Sequence, residues 1–275
     1  MEKVLRDSPL ILAVREAEAP EPFTDKVRLY SIRYRSDDCE VEGYAAFPLT
    51  GEGQWPGLIF NRGGNREFGT LRTIMLCRYA AKGFAAFGSQ YRGNCGGTGR
   101  EEFGGRDVYD VIHLIDLALG LPCVKKPQLY MLGHSRGGMM TYRACAIDNR
   151  IRAAAIGSGL ADVFIMYDRF HDGEYDMHQD CIELIGGTPE ELPEEYKKRS
   201  AVCWAEKIIP PILICQGTAD WRVIPEQAYK MDRALTAAGK EHKLIVYEGA
   251  DHSLQGTNYT KDVLDWFAAH PLPEE

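Results

Sequence analysis

The sequence contains one serine whose surroundings are typical of a catalytic nucleophile. Ser135 is the centre of the segment Gly-His-Ser-Arg-Gly at 133–137, which fits the pattern Gly-x-Ser-x-Gly. The apolar run at 128–132 before it is strand-like, and the run at 139–147 after it, rich in Met and Ala, is compatible with a helix. A serine on such a sharp strand-to-helix turn needs small neighbours, and the turn exposes its hydroxyl beside the free N–H groups of the helix N-terminus. The pattern therefore predicts Ser135 as a nucleophile.

Two further residues fit the partners that activate a serine. Asp220 follows the apolar run at 212–215, and His252 follows a second apolar run at 244–247. The carboxyl ends of parallel strands meet at one edge of a sheet, so both side chains are expected near Ser135. In this interpretation His252 takes the serine proton and returns it to the leaving group, while Asp220 fixes the imidazole tautomer and stabilises its cation. Taken singly, Asp220 also fits a turn or helix N-cap, and His252 fits a polar loop.

A glycine pair near the start of the chain is a candidate oxyanion hole. Residues 56–60 read as a short strand, and Asn-Arg-Gly-Gly-Asn follows at 61–65. Glycines let backbone N–H groups approach a carbonyl oxygen as it becomes an anion, and one such donor contributes about 3 kcal/mol to the transition state. We expect the N–H of Gly64 as one donor and the N–H of Arg136, the residue after the nucleophile, as the other. The alternative for the pair is a flexible turn.

Composition limits the classes of function. A chain of 275 residues with 45% hydrophobic residues can bury its core as one domain, 1–275. Its 32 Lys and Arg against 40 Asp and Glu give a net charge of −8, which argues against nucleic-acid binding. No apolar run is long enough to cross a membrane, and the N-terminus has no signal-peptide core. Eight scattered cysteines, with no Cys-x-x-Cys pair, are typical of reduced thiols in a cytoplasmic protein, and nothing indicates a cofactor.

Strand-like and helix-like segments alternate along the chain. Val27 to Tyr34 and Val41 to Phe47 are predicted to pair antiparallel through the polar turn at 36–38. Further strands are expected at 57–60, 84–87, 128–132, 153–156, 212–215 and 243–247, and helices at 71–82, 107–119, 139–147, 226–238 and 260–269. This alternation predicts an α/β fold, with a mainly parallel sheet of about eight strands flanked by helices.

One segment, 161–206, interrupts the alternation and is rich in charged and aromatic residues. An insertion at the carboxyl edge of such a sheet lies over the active site, so the segment is a candidate cap. Six of its side chains are of metal-ligating types: His171, Asp172, Glu174, Asp176, His178 and Asp180. Their spacing is irregular and their context is a loop, which favours a solvated polar cap and no metal site.

Between about 56 and 255 the chain resembles the α/β-hydrolase superfamily, and within it the catalytic domain of prolyl oligopeptidase-like serine peptidases and esterases. The order Ser, Asp, His along the chain is that of α/β-hydrolases. The matching motifs are Gln-Tyr-Arg-Gly at 90–93, Gly-Gly-Thr-Gly-Arg at 96–100, Gly-Gly-Arg-Asp-Val-Tyr-Asp at 104–110, Tyr-Lys-Lys-Arg-Ser-Ala at 196–201, Gln-Gly-Thr-Ala-Asp-Trp-Arg-Val at 216–223 and the loop around His252. The resemblance implies Ser135 as nucleophile, Asp220 and His252 as its partners, and an oxyanion hole in the early Gly-Gly loop.

The chain also departs from this family's pattern. Family peptidases usually carry an N-terminal β-propeller, whereas 1–55 is expected to hold only an extension and the first strands. His134, before the nucleophile, is more typical of esterases and lipases. In several family members a tyrosine that helps to hold the oxyanion stands where Arg62 stands. We expect Arg62 to face the active site and to bind the substrate or the oxyanion; the alternative is an ion pair with a nearby acid.

These observations predict a cytoplasmic serine hydrolase that acts through a covalent acyl-enzyme on a small ester or a short peptide. Carboxylesterase is slightly favoured over an aminopeptidase or oligopeptidase, because neither a propeller nor an amine-binding acid pair is evident. The expected partner is a small-molecule ester or short peptide substrate, with neither nucleic acid nor membrane, and a homo-oligomer is left open. A non-catalytic binding protein of the same fold is less favoured, because such proteins usually lose one residue of the triad.

Overall fold

A twisted sheet runs through the whole protein. The structure, a computed structural model, describes residues 1–51, 53–169 and 177–273. Within these ranges the sheet has nine strands in the order β1-β2-β3-β5-β4-β6-β7-β8-β9. The strands are β1 (Ile11–Ala17), β2 (Val27–Ser36), β3 (Cys39–Pro48), β4 (Gly57–Asn61), β5 (Ala85–Ser89), β6 (Leu129–His134), β7 (Ile151–Gly157), β8 (Ile212–Gly217) and β9 (His242–Tyr247).

The predicted α/β architecture is confirmed, and the sheet has one strand more than expected. β2 and β3 pair antiparallel from Val27↔Pro48 to Ser36↔Cys39, as predicted, and β3 pairs antiparallel with β5. From β5 to β9 every neighbouring pair is parallel. The additional strand, β1, is an antiparallel edge strand whose only buried residue is Val14. An edge strand with one buried side chain lacks the apolar alternation that identifies strands in a sequence.

Helices cover both faces of the sheet. They are α1 (Glu2–Arg6), α2 (Thr73–Ala80), α3 (Val108–Gly120), α4 (Arg136–Ile147), α5 (Val163–Arg169), α6 (Met177–Ile185), α7 (Pro193–Arg199), α8 (Pro225–Ala237) and α9 (Tyr259–Ala269), with short 3-10 turns at Ala201–Cys203 and Ala205–Lys207. The buried side chains of α3, α4 and α8 form one apolar cluster with Ile59 and Met131, and those of α2 and α9 form a second with Leu58 and Leu132. Successive strand residues thus point to opposite faces, as the pleat requires.

The segment 161–206 forms helices α5, α6 and α7, apart from residues 170–176. In α6 the buried side chains are Met177, Cys181 and Leu184, which are spaced so that they share one helix face. Four of the six residues considered as metal ligands, His171, Asp172, Glu174 and Asp176, lie outside the described residues. Among the side chains that the structure describes, no three His, Cys, Asp or Glu residues are grouped as metal ligands would be.

Two further observations concern the cysteines and the helices. All eight cysteines are free thiols; six are buried, and Cys95 and Cys203 are exposed. In the described ranges, none of the helices combines the length and the apolar character needed to span a bilayer.

Candidate active site

Ser135 occupies a strained turn between β6, which ends at His134, and α4, which begins at Arg136. Its backbone has φ 58° and ψ −127°, a conformation that non-glycine residues rarely adopt. The turn is held because the Ser135 N–H donates to the Gly157 carbonyl at 3.0 Å and the Ser135 carbonyl accepts from the Leu160 N–H at 3.1 Å. A side chain at Gly137 would collide with the Asn61 carbonyl oxygen, so the second glycine of the motif is required by a close approach.

Asp220 and His252 are hydrogen-bonded to each other at the carboxyl ends of β8 and β9. The distance from His252 Nδ1 to Asp220 Oδ2 is 2.8 Å, and Asp220 is 2% exposed. Burial acts to raise the pKa of Asp220, but the hydrogen bond and charge of His252 and the N–H of Val223 together lower it below its ordinary value. The other carboxylate oxygen accepts the N–H groups of Arg222 and Val223, both at 3.0 Å. An ionised carboxylate only accepts, so Nδ1 carries the imidazole proton and Nε2 is left as the basic atom.

A second histidine lies against the first. The ring centroids of His134 and His252 are 4.9 Å apart. Burial, together with the nearby charge of His252, lowers the pKa of His134 to about 3. His134 is therefore neutral near pH 7, and it places no second positive charge beside His252.

Ser135, His252 and the Gly-Gly loop line one cavity of about 570 Å³. The loop passes directly over the serine: a Cβ at Gly63 would lie 2.8 Å from the Ser135 Cβ, which only glycine avoids. The structure thus brings together Ser135, His252 and Gly64, with Asp220 behind His252 and the N–H of Arg136 at the start of α4. A volume of this size fits a small-molecule ligand.

Arg62 holds the loop through backbone carbonyl groups. Its five N–H donors bond the carbonyls of Gly63 (3.1 Å), Gly69 (3.4 Å), Arg66 (3.1 Å) and, twice, Gln90 (3.2 and 2.8 Å). The residue is 2% exposed, and burial lowers the pKa of its guanidinium. In the described part of the chain no carboxylate is among its acceptors, so the ion pair considered as an alternative is not what holds it. Every N–H donor of Arg62 already has an acceptor in the protein. A direct role of Arg62 in substrate binding stays a prediction.

Arg136 holds the same loop from the other side. Its guanidinium donates to the Gly64 carbonyl at 3.0 Å and forms buried ion pairs with Asp107, at 2.5 Å, and with Glu101. Burial raises the pKa of Asp107 to about 6 and lowers that of Arg136 to about 9. The close contact of the two side chains shows that they form an ion pair in spite of this cost of burial. The ring of Tyr91 lies between the guanidinium carbons of Arg62 (5.0 Å) and Arg136 (4.8 Å).

Sequence reasoning missed this support of the loop. Tyr91 and Asp107 belong to the segments 90–93 and 104–110, which were used only as marks of resemblance, and Glu101 follows the segment 96–100. The available signal was Arg136 itself. An arginine packed behind a strained turn requires an acidic partner. Nothing in the local sequence says which acid fills that place.

Two comparisons identify relatives of the chain. The model of the prolyl oligopeptidase family matches residues 74–271. The chain is 33% identical over 243 residues to the uncharacterized peptidase YtmA of Bacillus subtilis, covering 88% of this chain and 92% of YtmA. It is 27% identical over 266 residues to the uncharacterized peptidase YuxL of the same organism, covering 87% of this chain but 38% of YuxL.

Solved structures share the fold at lower identity. Acylaminoacyl peptidase of Pyrococcus horikoshii superposes with a TM-score of 0.77 at 22% identity, over 91% of this chain and 43% of that one. Acetyl xylan esterase of Paenibacillus sp. R4 superposes with a TM-score of 0.72 at 18% identity, over 98% of this chain and 92% of that one. These likenesses confirm the α/β-hydrolase fold. With the family match over most of its length, the chain belongs to the prolyl oligopeptidase family of serine hydrolases.

Proposed function

We propose that this serine hydrolase cleaves a small carboxylic ester or a short peptide through a covalent acyl-enzyme formed on Ser135. The observation that carries the proposal is the 2.8 Å hydrogen bond between Asp220 and His252 in the same site as the strained Ser135. A base oriented by a carboxylate in the same cavity as a hydroxyl on a sharp turn is the arrangement that activates a serine.

The first half of the reaction forms the acyl-enzyme. His252 Nε2 accepts the Ser135 proton while Oγ attacks the carbonyl carbon, giving a tetrahedral oxyanion. The backbone N–H groups of Gly64 and Arg136 are the proposed donors to that oxyanion, each contributing about 3 kcal/mol. His252 then protonates the departing alkoxide or amine, and the acyl group stays on Oγ. Asp220, held ionised by its lowered pKa, stabilises the imidazolium that exists between these steps.

The second half releases the acid and restores the serine. His252 takes a proton from water, the resulting hydroxide attacks the acyl carbonyl, and Ser135 leaves with the proton that His252 returns. Water is the second substrate in this half of the reaction. His134 is neutral near pH 7, so it adds no second imidazolium beside His252, whose ring centroid is 4.9 Å away.

We favour a carboxylesterase slightly over a peptidase. The relatives include a peptidase by name, and the structural neighbours include both an acylaminoacyl peptidase and an acetyl xylan esterase, so the likenesses support either activity. An aminopeptidase binds the free ammonium of its substrate through acids. Among the described residues that line the cavity there is no Asp or Glu. A purely binding role for the same fold is less favoured, because proteins with such a role usually lose a residue of the triad, whereas this chain keeps Ser135, Asp220 and His252.

We also propose a cytoplasmic location, which the eight free cysteines support. A reducing compartment keeps thiols such as the exposed Cys95 and Cys203 from forming disulfides. The proposed partner is the substrate alone, and a homo-oligomer is left open.

An active-site-directed fluorophosphonate tests the proposal. We expect it to label Ser135 in the native protein and in Ser253→Ala, a matched loss of a hydroxyl in the same cavity, but not in Ser135→Ala. Ser135→Ala should also lower turnover of para-nitrophenyl esters by about a thousandfold. Normal turnover in Ser135→Ala would contradict the proposal. Comparing these esters with aminoacyl para-nitroanilides decides between esterase and peptidase.

A further inference from the structure

The cavity that holds Ser135 and His252 is cationic, although the protein is acidic. The described residues that line it include four arginines and no acidic side chain; the arginines are Arg62, Arg72, Arg78 and Arg222. The whole chain has 40 acidic and 32 basic residues and a net charge of −8. The excess of positive charge in the cavity is therefore local, and it is not a consequence of composition.

Two of these arginines, Arg72 and Arg78, have no charge partner within the part of the chain that the structure describes. Arg72 directly precedes α2, and Arg78 lies in it on the face that also carries Ile74 and Met75 to the cavity. In the described ranges the guanidinium groups of Arg72 and Arg78 take part in no hydrogen bond and no ion pair. Arg62, by contrast, uses every donor on backbone carbonyls, and the Arg222 guanidinium lies 5.2 Å from the centre of the Trp221 ring.

A second cavity shows that this excess is specific to the first. It has about 540 Å³ and is lined by both Arg66 and Arg100 and by Glu67, Glu101 and Glu183. There both guanidinium groups have protein acceptors: Arg66 forms an ion pair with Glu183, and Arg100 donates to the backbone carbonyl of Glu183. Of these two cavities, the one with Ser135 presents guanidinium groups that have no recorded partner among the described residues.

Unpaired guanidinium groups in a concave site favour a ligand with a negative charge. A guanidinium binds a carboxylate through two parallel hydrogen bonds, and such charge-assisted bonds are about twice as strong as neutral ones. Walls of low dielectric focus the field and raise the local concentration of an anionic substrate. The same cavity is lined by Phe60, Ile74 and Met75, which suit the apolar part of the molecule.

We infer that the substrate carries a carboxylate, which Arg72 and Arg78 bind while its ester or amide bond reaches Ser135. The inference rests on the proposed function and adds the substrate class. The carboxylate belongs either to the acyl half or to the leaving half of the substrate. A free ammonium group, in contrast, is repelled by the cavity, which sets the site apart from an aminopeptidase.

Two pairs of esters test the inference and distinguish the halves. For the acyl half, mono-para-nitrophenyl adipate is compared with para-nitrophenyl hexanoate, which has the same chain length without the carboxylate. For the leaving half, para-acetoxybenzoate is compared with its methyl ester. In at least one pair we expect kcat/KM of the anionic ester to be about tenfold higher, a difference of about 1.4 kcal/mol. In about 1 M salt, where the Debye length is about 3 Å, the preference should fall.

Variants assign the preference to the two arginines. Arg72→Met and Arg78→Met should each reduce the ratio of kcat/KM between anionic and neutral ester, mainly by raising KM for the anionic one. Lys82→Met is the matched control, because it removes a positive charge just after α2 from a residue that does not line the cavity. It should keep the native ratio.

The inference is overturned if neither anionic ester is preferred. It is also overturned if Arg72→Met and Arg78→Met lower kcat/KM equally for both esters of a pair. That result differs from a failure of the proposed function, in which no ester is cleaved and the fluorophosphonate does not label Ser135. Circular dichroism of each variant shows that a changed ratio comes from a folded protein.

Discussion

Arg62 and Arg136 each fix one carbonyl of the loop that faces Ser135. Arg62 holds the Gly63 carbonyl at 3.1 Å, and Arg136 holds the Gly64 carbonyl at 3.0 Å. The peptide bond is planar, so fixing the Gly63 carbonyl also fixes the direction of the Gly64 N–H. The proposed oxyanion donor is therefore aimed by a side chain that itself has no donor left for the substrate. We therefore propose a positioning role for Arg62, and its direct binding of the substrate stays a prediction.

Replacing Arg62 with methionine should lower kcat about tenfold and change KM little. The donor that it orients acts on the charge that develops in the transition state, and a misdirected donor loses part of about 3 kcal/mol. Arg62→Lys keeps the charge but has fewer donors, so its kcat should lie between those of the native protein and Arg62→Met. Steady-state kinetics with a para-nitrophenyl ester measures both constants.

Two other outcomes would contradict a positioning role of Arg62. A higher KM with an intact kcat would show that Arg62 binds the substrate. If both constants are unchanged and only the melting temperature falls, Arg62 has neither role and merely stabilises the loop. Gln90, whose backbone carbonyl accepts from Arg62, does not offer a useful control. Gln90→Glu would also alter the side chain that accepts the Leu71 N–H. Arg152→Met, which removes an exposed guanidinium bonded to the Pro271 carbonyl, is the better one.

Single residues differed in how far sequence could predict them. Ser135, Asp220 and His252 each follow a strand-like run, so short patterns placed them at the same edge of the sheet. Glu101 and Arg78 have no such local mark. The roles of these two residues depend on which charges are buried and which are paired. Segments far apart in the chain decide both.

Among the elements, helix α6 of the candidate cap segment is connected by hydrogen bonds and ion pairs to the loop after β4. Asp180 accepts from Asn65 Nδ2 at 2.7 Å and from the Arg66 guanidinium at 3.2 Å, and Glu183 pairs with Arg66 as well. The backbone N–H of Arg66 donates at 2.7 Å to Glu101, which pairs with Arg136. A continuous polar chain thus runs from α6 through the loop to α4, which starts after the nucleophile.

Asp180→Asn should therefore lower kcat/KM about fivefold although Asp180 lies outside the cavity. The loss of charge weakens the tie to Arg66, and a partly exposed ion pair of this kind contributes up to about 1 kcal/mol. Glu194→Gln is the matched control, since it breaks an exposed pair with Lys197 in α7, which is also a cap helix. Rates for Asp180→Asn equal to those of the control would show that α6 does not act on the loop.

The sequence predicts whether a segment is a helix or a strand. It predicts less well the residues at which helices begin and end, and it does not reveal the edge strand of the sheet. The buried faces of α3 and α8 follow a helical period, and the structure places these helices at Val108–Gly120 and Pro225–Ala237, within one residue of the predicted bounds. α4 begins three residues earlier than its apolar run, because Arg136 enters the helix directly from the turn at Ser135. The helices α5, α6 and α7 have only 7, 9 and 7 residues, so they depend on packing against the rest of the protein, and so short a pattern is hard to recognise in the sequence.

At the scale of the whole molecule, one buried ion pair joins its antiparallel and parallel parts. Arg92, after β5, bonds Asp110 of α3 at 2.7 Å, and both side chains are nearly inaccessible. Asp110 also accepts from Ser36 Oγ at 2.6 Å, and its carbonyl accepts from the Tyr34 hydroxyl at 2.8 Å, so the β2–β3 hairpin is anchored to α3. Arg92 reaches Asp37 of the same hairpin at 2.9 Å.

Asp110→Asn should destabilise the protein strongly, because it leaves the Arg92 charge buried with only Asp37, which is partly exposed, to balance it. Breaking a buried pair from one side costs about 3–5 kcal/mol, which corresponds to a fall in melting temperature of about 10 °C in a domain of this size. Asp265→Asn is the control: it breaks an exposed pair with Lys261 in α9, and exposed pairs contribute only up to about 1 kcal/mol. Thermal unfolding followed by circular dichroism measures both variants. If Asp110→Asn melts within about 2 °C of the control, the hairpin is held by its strand pairing, and the ion pair has no part in joining the two halves of the sheet.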